Sequence, residues 1–151
     1  CLGMQIAVIE FCRNVCGIKD ANSGEFDEYG LHKVIDFMPD QNNEIAKGGT
    51  MRLGAYPCKV KPGTRMYECY NTDLIYERHR HRYEFNNDYR DIMQANGLVI
   101  SGTSPDGRIV ETVEVPANDF YIGVQYHPEF KSRPNRAHAL FVGLIKAALK
   151  H

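Results

Sequence analysis

The stretch Phe120-Tyr121-Ile122-Gly123-Val124-Gln125-Tyr126-His127-Pro128-Glu129-Phe130 decides how this chain reads. Phe120 to Tyr126 is an apolar run of strand length, rich in aromatic and β-branched residues, and predicts a central strand. Where it ends, His127 and Glu129 stand two apart with Pro128 stiffening the backbone between them, so both side chains can face one way. The C-terminal ends of strands in α/β sheets are where functional side chains collect. A carboxylate behind an imidazole fixes its tautomer and supports the cation formed when it takes a proton, as a nucleophile's base requires. A loop histidine beside a solvated glutamate is the plainer reading of the same spacing.

Outward from this stretch, the chain alternates element types. Ala137, Leu140, Phe141, Leu144, Ile145 and Ala148 recur at helical spacing and predict a final helix whose single apolar stripe packs on the sheet. Leu98–Ser101 and Ile109–Val115 predict a hairpin, with Pro105-Asp106-Gly107 as its turn. Asp88 to Ala95 reads as a short helix ended by Asn96-Gly97, and Leu74 to Phe85 as one strand. Thr50 to Val60 reads as a strand or two broken by Gly54 and Pro57. Val34-Ile35-Asp36-Phe37 is a further strand, followed by a polar loop through Pro39, Asn42 and Asn43 to Gly48-Gly49, and residues 20–27 form a loop. Interleaved helices and strands place the chain in the α/β or α+β class.

At the other end, Leu2, Met4, Ile6, Ala7, Val8, Ile9, Phe11, Cys12 and Val15 cover most of a helix circumference, which predicts a buried helix stopped by Gly17. Cys1 would then stand at a helix N-terminus, where free N–H groups and the macrodipole favour a thiolate. Gly3 would let backbone pack close to the turn, and the Leu2 amide would donate to an oxyanion, as at a nucleophile elbow. Taken alone, Cys1 reads more readily as a small inert residue.

Composition sets bounds on the partners. With 151 residues, one domain or a piece of one is expected, domains of roughly 100–150 residues being typical. Eighteen Lys plus Arg against 19 Asp plus Glu give a net charge of -1, so no basic field exists to hold nucleic acid or an anionic membrane. No apolar run approaches the roughly 20 residues that span a bilayer. Five scattered cysteines without a C-x-x-C pair predict no zinc site and fit a reducing cytoplasm.

Cys1-Leu2-Gly3-Met4-Gln5 together with His127-Pro128-Glu129 resembles the triad pattern of class I glutamine amidotransferases. The stretches 22–26, Gly48-Gly49-Thr50-Met51-Arg52-Leu53-Gly54, Glu77 to Glu84 and Gln125 to Phe130 resemble, within that class, the C-terminal amidotransferase domain of the CTP synthase family. The resemblance implies a flavodoxin-like α/β domain with a mixed, mainly parallel central sheet flanked by helices, of which residues 1–151 would be the C-terminal portion. It further implies glutamine hydrolysis through a thioester on Cys1, with ammonia passed to a synthase domain that aminates UTP using ATP and Mg. GTP would activate the glutaminase step, and the assembly would be a homo-oligomer, a tetramer by resemblance.

By position, Gln5, Glu25 and Arg82 resemble the glutamine-binding residues and Arg52 a position near the activator. The residue types suit the ligand, since a zwitterion needs a cation for its carboxylate and an anion or amide for its ammonium. In Arg78-His79-Arg80-His81-Arg82 the arginines would share one strand face and the histidines the other. A His-x-His metal site is disfavoured there by three interleaved cations, and a solvated basic strip on an edge strand competes with ligand binding. The resemblance also implies an upstream segment, with the strand leading into Cys1 and a glycine-rich loop that completes the oxyanion hole. Two other readings stay open: an N-terminal-nucleophile amidotransferase, with the Cys1 α-amino group as base, and a non-catalytic module kept for assembly or nucleotide sensing.

Overall fold

In the computed structural model, residues 1–37 and 51–151 are described. The expected loop through Pro39 to Gly49, and the Gly48–Thr50 part of the glycine-rich motif, lie outside the described residues. Leu2–Asn14 forms helix α1, and the chain passes Gly17 at φ 78, the left-handed stop the sequence predicts. Asn22–Ser23 (β1) and Lys33–Phe37 (β2) pair in parallel, and Tyr83–Phe85 (β5) adds to β2 antiparallel, closing a small three-stranded sheet. A larger sheet has the order β4-β3-β6-β7-β8, built from Arg52–Val60 (β3), Leu74–His81 (β4), Val99–Thr103 (β6), Val110–Glu114 (β7) and Ile122–Val124 (β8). Its pairings are all antiparallel. Among the described residues only β1 and β2 pair in parallel, so the expected parallel ladders are not found in this part of the chain. Helices Arg65–Tyr70 (α2), Arg90–Ala95 (α3) and Ala139–Ala148 (α4) complete the elements.

Several expectations are corrected by tertiary context. The strand expected over 74–85 is two, because Arg82 interrupts it and the chain changes sheets there. Gly54 and Pro57 do not break β3, which runs unbroken against β4 and meets β6 only at Lys59 and Val60. Pro57 therefore sits where β3 has a single partner strand, and its missing N–H interrupts no ladder on the other side. Among the described residues β8, from the 120–126 run, pairs with β7 alone. Helix α1 buries one face through Met4, Val8, Ile9, Phe11 and Cys12 while Leu2, Ile6 and Val15 are exposed, so it is amphipathic rather than fully buried. The last helix packs mainly against α2; Leu140 is its buried residue, and Phe141, Leu144 and Ile145 face solvent instead of the sheet.

Two apolar clusters hold these layers. One joins α1 to β2, β5, α3 and the β6–β7 hairpin through Met4, Val8, Val34, Phe85, Met93, Leu98 and Val113. The other packs Cys58, Val60, Met66, Ile75, Tyr126 and Leu140 between β3, β4, α2 and α4. Burying each larger side chain of this kind contributes roughly 1.5–3 kcal/mol. The hairpin forms as expected, with Gly107 at φ 75 and its N–H donating to Ser104 O. The close backbone approach expected at Gly3 occurs elsewhere: a Cβ at Gly3 would meet no atom within 4 Å, whereas one at Gly123 would lie 3.2 Å from Met4. Gly123 is thus what lets α1 settle on β8, with Cys1 at the head of the helix.

Candidate active site

Cys1 is the N-cap of α1, and its side chain makes no capping hydrogen bond to the first-turn amides. Its backbone nitrogen donates to Val124 O at 2.7 Å, tying the start of α1 to the end of β8. The thiol points to Arg80 O at 3.8 Å, and Gln125 Nε2 donates to Sγ at 3.5 Å. Three residues beyond Val124, the His127 N–H donates to Arg78 O at 2.9 Å. Cys1 Sγ and the His127 backbone N–H thus rest on two carbonyls of one strand, Arg80 and Arg78, which stand roughly 7 Å apart along β4.

His127 Nδ1–H donates to Glu129 Oε1 at 2.6 Å, which leaves Nε2 free as a base. Phe130 stacks on the imidazole at 4.8 Å between ring centroids and holds its plane. Slight burial would raise the Glu129 carboxyl, but the hydrogen bond from His127, a backbone hydrogen bond and the imidazole charge outweigh it and leave it below the usual range. Glu129 therefore stands ionised behind the ring. The other four thiols are unsuited to attack. Burial pushes Cys12 up to about 12, aided by Cys16, and burial also raises Cys16, Cys58 and Cys69.

Of the three residues expected to hold an amino acid, Gln5 contacts the Tyr83 backbone, and Glu25 and Arg82 bear on the Tyr83 phenol through their charges. Gln5, buried in α1, donates from Nε2 to Tyr83 O at 3.0 Å and to Gln125 Oε1 at 3.5 Å. Glu25 and Arg82 are exposed, and both charges act on the Tyr83 phenol, which burial raises first, Glu25 raising it further and Arg82 lowering it. An anion and a cation flanking one tyrosine suit a zwitterion. Arg78 and Arg80 lie on the outer face of β4, an edge strand, as the solvated basic strip weighed from the sequence requires, while His79 and His81 point inward.

Arg52 requires a correction. Its side chain is 7% exposed, and Nη1 donates to Glu111 Oε1 at 2.6 Å and to Glu84 Oε1 at 3.3 Å. The guanidinium also lies 4.4 Å over the Tyr56 ring. Its charge is already matched inside the protein, which does not fit a nucleotide-binding cation. Gln125 and Tyr83 were not singled out as site residues from the sequence. Gln125 belongs to the His-Pro-Glu stretch, but that its amide reaches sulfur depends on a contact 124 positions away.

Residues 1–147 match the profile of the family described as glutamine amidotransferase class-I. The chain belongs to this family. CTP synthase of Carboxydothermus hydrogenoformans is 61% identical over 150 residues, covering 99% of this chain and 28% of the relative. CTP synthase of Staphylococcus aureus is 57% identical over 151 residues, covering all of this chain and 28% of the relative. A solved structure described as the glutaminase domain of Trypanosoma brucei CTPS with bound acivicin superposes with a TM-score of 0.92 at 39% identity. It covers 99% of this chain and 58% of that one. This chain therefore spans about a quarter of the curated relatives' length. As a class I glutamine amidotransferase it has the α/β, flavodoxin-like fold of that class, and its counterpart in these relatives is the amidotransferase domain of CTP synthase.

Proposed function

We propose that this chain hydrolyses glutamine with Cys1 as nucleophile, His127 as base and Glu129 as the orienting group. The observation that carries the reading is that Cys1 Sγ and the backbone N–H of His127, whose ring is paired with Glu129, both rest on carbonyls of β4. His127 Nε2 takes the thiol proton and the thiolate attacks the side-chain carboxamide carbon. The oxyanion is held by the Leu2 N–H at the head of α1. His127 returns the proton to the leaving nitrogen as ammonia departs, and a thioester remains on Cys1. Water, deprotonated by the same ring, then releases glutamate. Gln5, Glu25 and Arg82 hold the amino-acid end of the substrate around Tyr83, with Arg82 on the carboxylate and Glu25 on the ammonium.

In this reading the ammonia serves a synthase domain, for which the relatives' name, CTP synthase, is the support, and that domain aminates UTP using ATP and Mg. GTP activation and a tetrameric assembly belong to the same reading, with the nucleotide contact at residues other than the buried Arg52. Five free cysteines suit a cytoplasmic site, and no described helix is long and apolar enough to cross a membrane.

A glutamine-like electrophile such as acivicin, bound in the Trypanosoma brucei domain, is expected to label Cys1 of the full-length protein stoichiometrically. The label should vanish in Cys1→Ser. Robust ammonia release by that variant would move the chemistry to another residue.

A further inference from the structure

Five side chains from four strands meet behind the end of β4: Arg52 of β3, His79 and His81 of β4, Glu84 of β5 and Glu111 of β7, each more than nine-tenths buried. Arg52 Nη1 donates to both carboxylates. His79 Nδ1 and His81 Nε2 share a hydrogen bond at 2.8 Å. The outer nitrogens face the same two carboxyl groups, His79 Nε2 at 3.3 Å from Glu111 Oε2 and His81 Nδ1 at 3.5 Å from Glu84 Oε1. The five groups close a ring. Among the described residues, His79 Nε2, His81 Nδ1 and Glu111 Oε2 have no hydrogen-bond partner of good geometry, so what lies between them depends on where protons are placed.

Counting protons leaves little choice. If His79 donates from Nδ1 to His81, its Nε2 turns a lone pair toward Glu111, which must then be the protonated acid. His81 Nδ1–H in turn donates to an ionised Glu84. If His81 donates instead, every role reverses: His79 donates to an ionised Glu111, and Glu84 must be the acid. With no extra proton, a lone pair faces a carboxylate in either arrangement, and two buried negative charges are set against the single cation of Arg52. Placing the extra proton on an imidazole gives the same total but puts a second cation beside Arg52. Burial, Arg52 and the neighbouring ring hold His79 down to about 2, and burial and Arg52 hold His81 near 3. Burial raises both carboxyl groups to about 7 against the opposing pull of Arg52.

We propose that this cluster holds one proton shared between Glu84 and Glu111 through the two imidazoles, and that the charge-matched ring positions the catalytic groups. Moving the proton from Glu111 to Glu84 takes three balanced transfers, Glu111 to His79, His79 to His81 and His81 to Glu84, with Arg52 neutralising whichever carboxylate is left. The mechanical link is short. His79 and His81 alternate in β4 with Arg78 and Arg80, whose carbonyls hold His127 N and Cys1 Sγ. The backbone carbonyl of Glu111 accepts from Gln125 N at 2.8 Å, and the Gln125 side chain donates to Cys1 Sγ. Other titratable groups facing the ring are Tyr56 and Tyr126, edge-on to His79 at 5.6 and 5.7 Å, together with Cys58, Glu77 and His127. Two of these, Cys58 and Tyr126, are raised by burial and stay neutral as the carboxyl groups titrate.

The positioning half rests on the glutaminase reading, whereas the proton count does not. The test is infrared difference spectroscopy of the full-length protein at neutral pH, wild type minus variant, reading the carbonyl stretch of a protonated carboxyl. A shared proton predicts that Glu84→Gln and Glu111→Gln each abolish the whole band, because the amide supplies the missing donor and the remaining carboxylate ionises against Arg52. Each variant tests this by itself should the other fail to fold. A band surviving in either one, or no band in the wild type, overturns the shared proton. For positioning, the pH profile of kcat/KM for glutamine in the full-length protein should fall at alkaline pH, with the limb shifted upward in Glu111→Gln. Glu111→Leu should lose ~10-fold or more, with Gln restoring most of it. An unchanged rate and profile in Glu111→Leu would overturn positioning. Wild-type protein devoid of glutaminase activity but showing the band would instead overturn the glutaminase reading and leave the proton count standing.

Discussion

Of this chain's histidine–carboxylate pairs, two that lie near the same strand are opposites. At the surface, His127 meets Glu129 at 2.6 Å, with the side chains 24% and 56% exposed. Behind β4, His79 faces Glu111 at 3.3 Å with neither side chain exposed. Glu129 is held below its usual range and Glu111 is raised to about 7, although both face an imidazole. Water and direct hydrogen bonds stabilise the charged form at the surface, whereas burial penalises it inside. The same two residue types therefore make an ionised base-orienting pair in one place and a proton store in the other.

Breaking the surface pair should cost activity and spare the fold. Cys1→Ser is expected to lower ammonia release from glutamine by about 10³-fold or more, with an unchanged melting temperature. Glu129→Gln should lower kcat on the order of 10²–10³-fold by freeing the imidazole's orientation, again without loss of stability. Steady-state kinetics beside thermal melts of the same samples check both.

Breaking the buried pair should do the reverse. Arg52→Met removes the cation shared by two buried carboxylates and should destabilise the protein by about 3–5 kcal/mol in urea titrations at neutral pH. The Glu111 carboxyl has its folded pKa raised from 4.5 to about 7, so the folded state binds the proton more tightly than the unfolded chain does. Its contribution to stability is thus greatest below 4.5 and is lost as pH rises to 7. Relative to wild type, Glu111→Gln should gain stability across that window, by at most about 3 kcal/mol and by less where the carboxyl groups share one proton. Parallel denaturation curves at pH 4.5 and 7 measure the difference. The outer face of β4 should be indifferent: Arg78→Gln is expected to change stability by less than about 0.5 kcal/mol, since its side chain is exposed.

Legibility followed distance along the chain. Glu129 lies two residues from His127, and the turn at Gly107 is local, so both features read directly from the sequence. The alternation in 74–81 separated arginines from histidines correctly, because a strand's two-residue period is a local property. Arg52 was misjudged for the opposite reason. Its position resembled one near an activator, but its partners are 32 and 59 positions away and only β3, β5 and β7 bring them together. The break at Arg82 was equally hidden, since the apolar pattern is the same whether a strand stays in one sheet or switches to another.

By itself, then, the sequence determined the chemistry available at each terminus: a thiol where a helix begins, and an imidazole with a carboxylate two residues on. It also determined the local periods that put side chains on one face or the other. Only the tertiary structure decided which charges are buried together, that β8 pairs with β7, and that one strand supplies carbonyls to both Cys1 and His127. Protonation of the inner ring follows from that assembly, because desolvation acts on a group through everything packed around it and not through its neighbours in sequence.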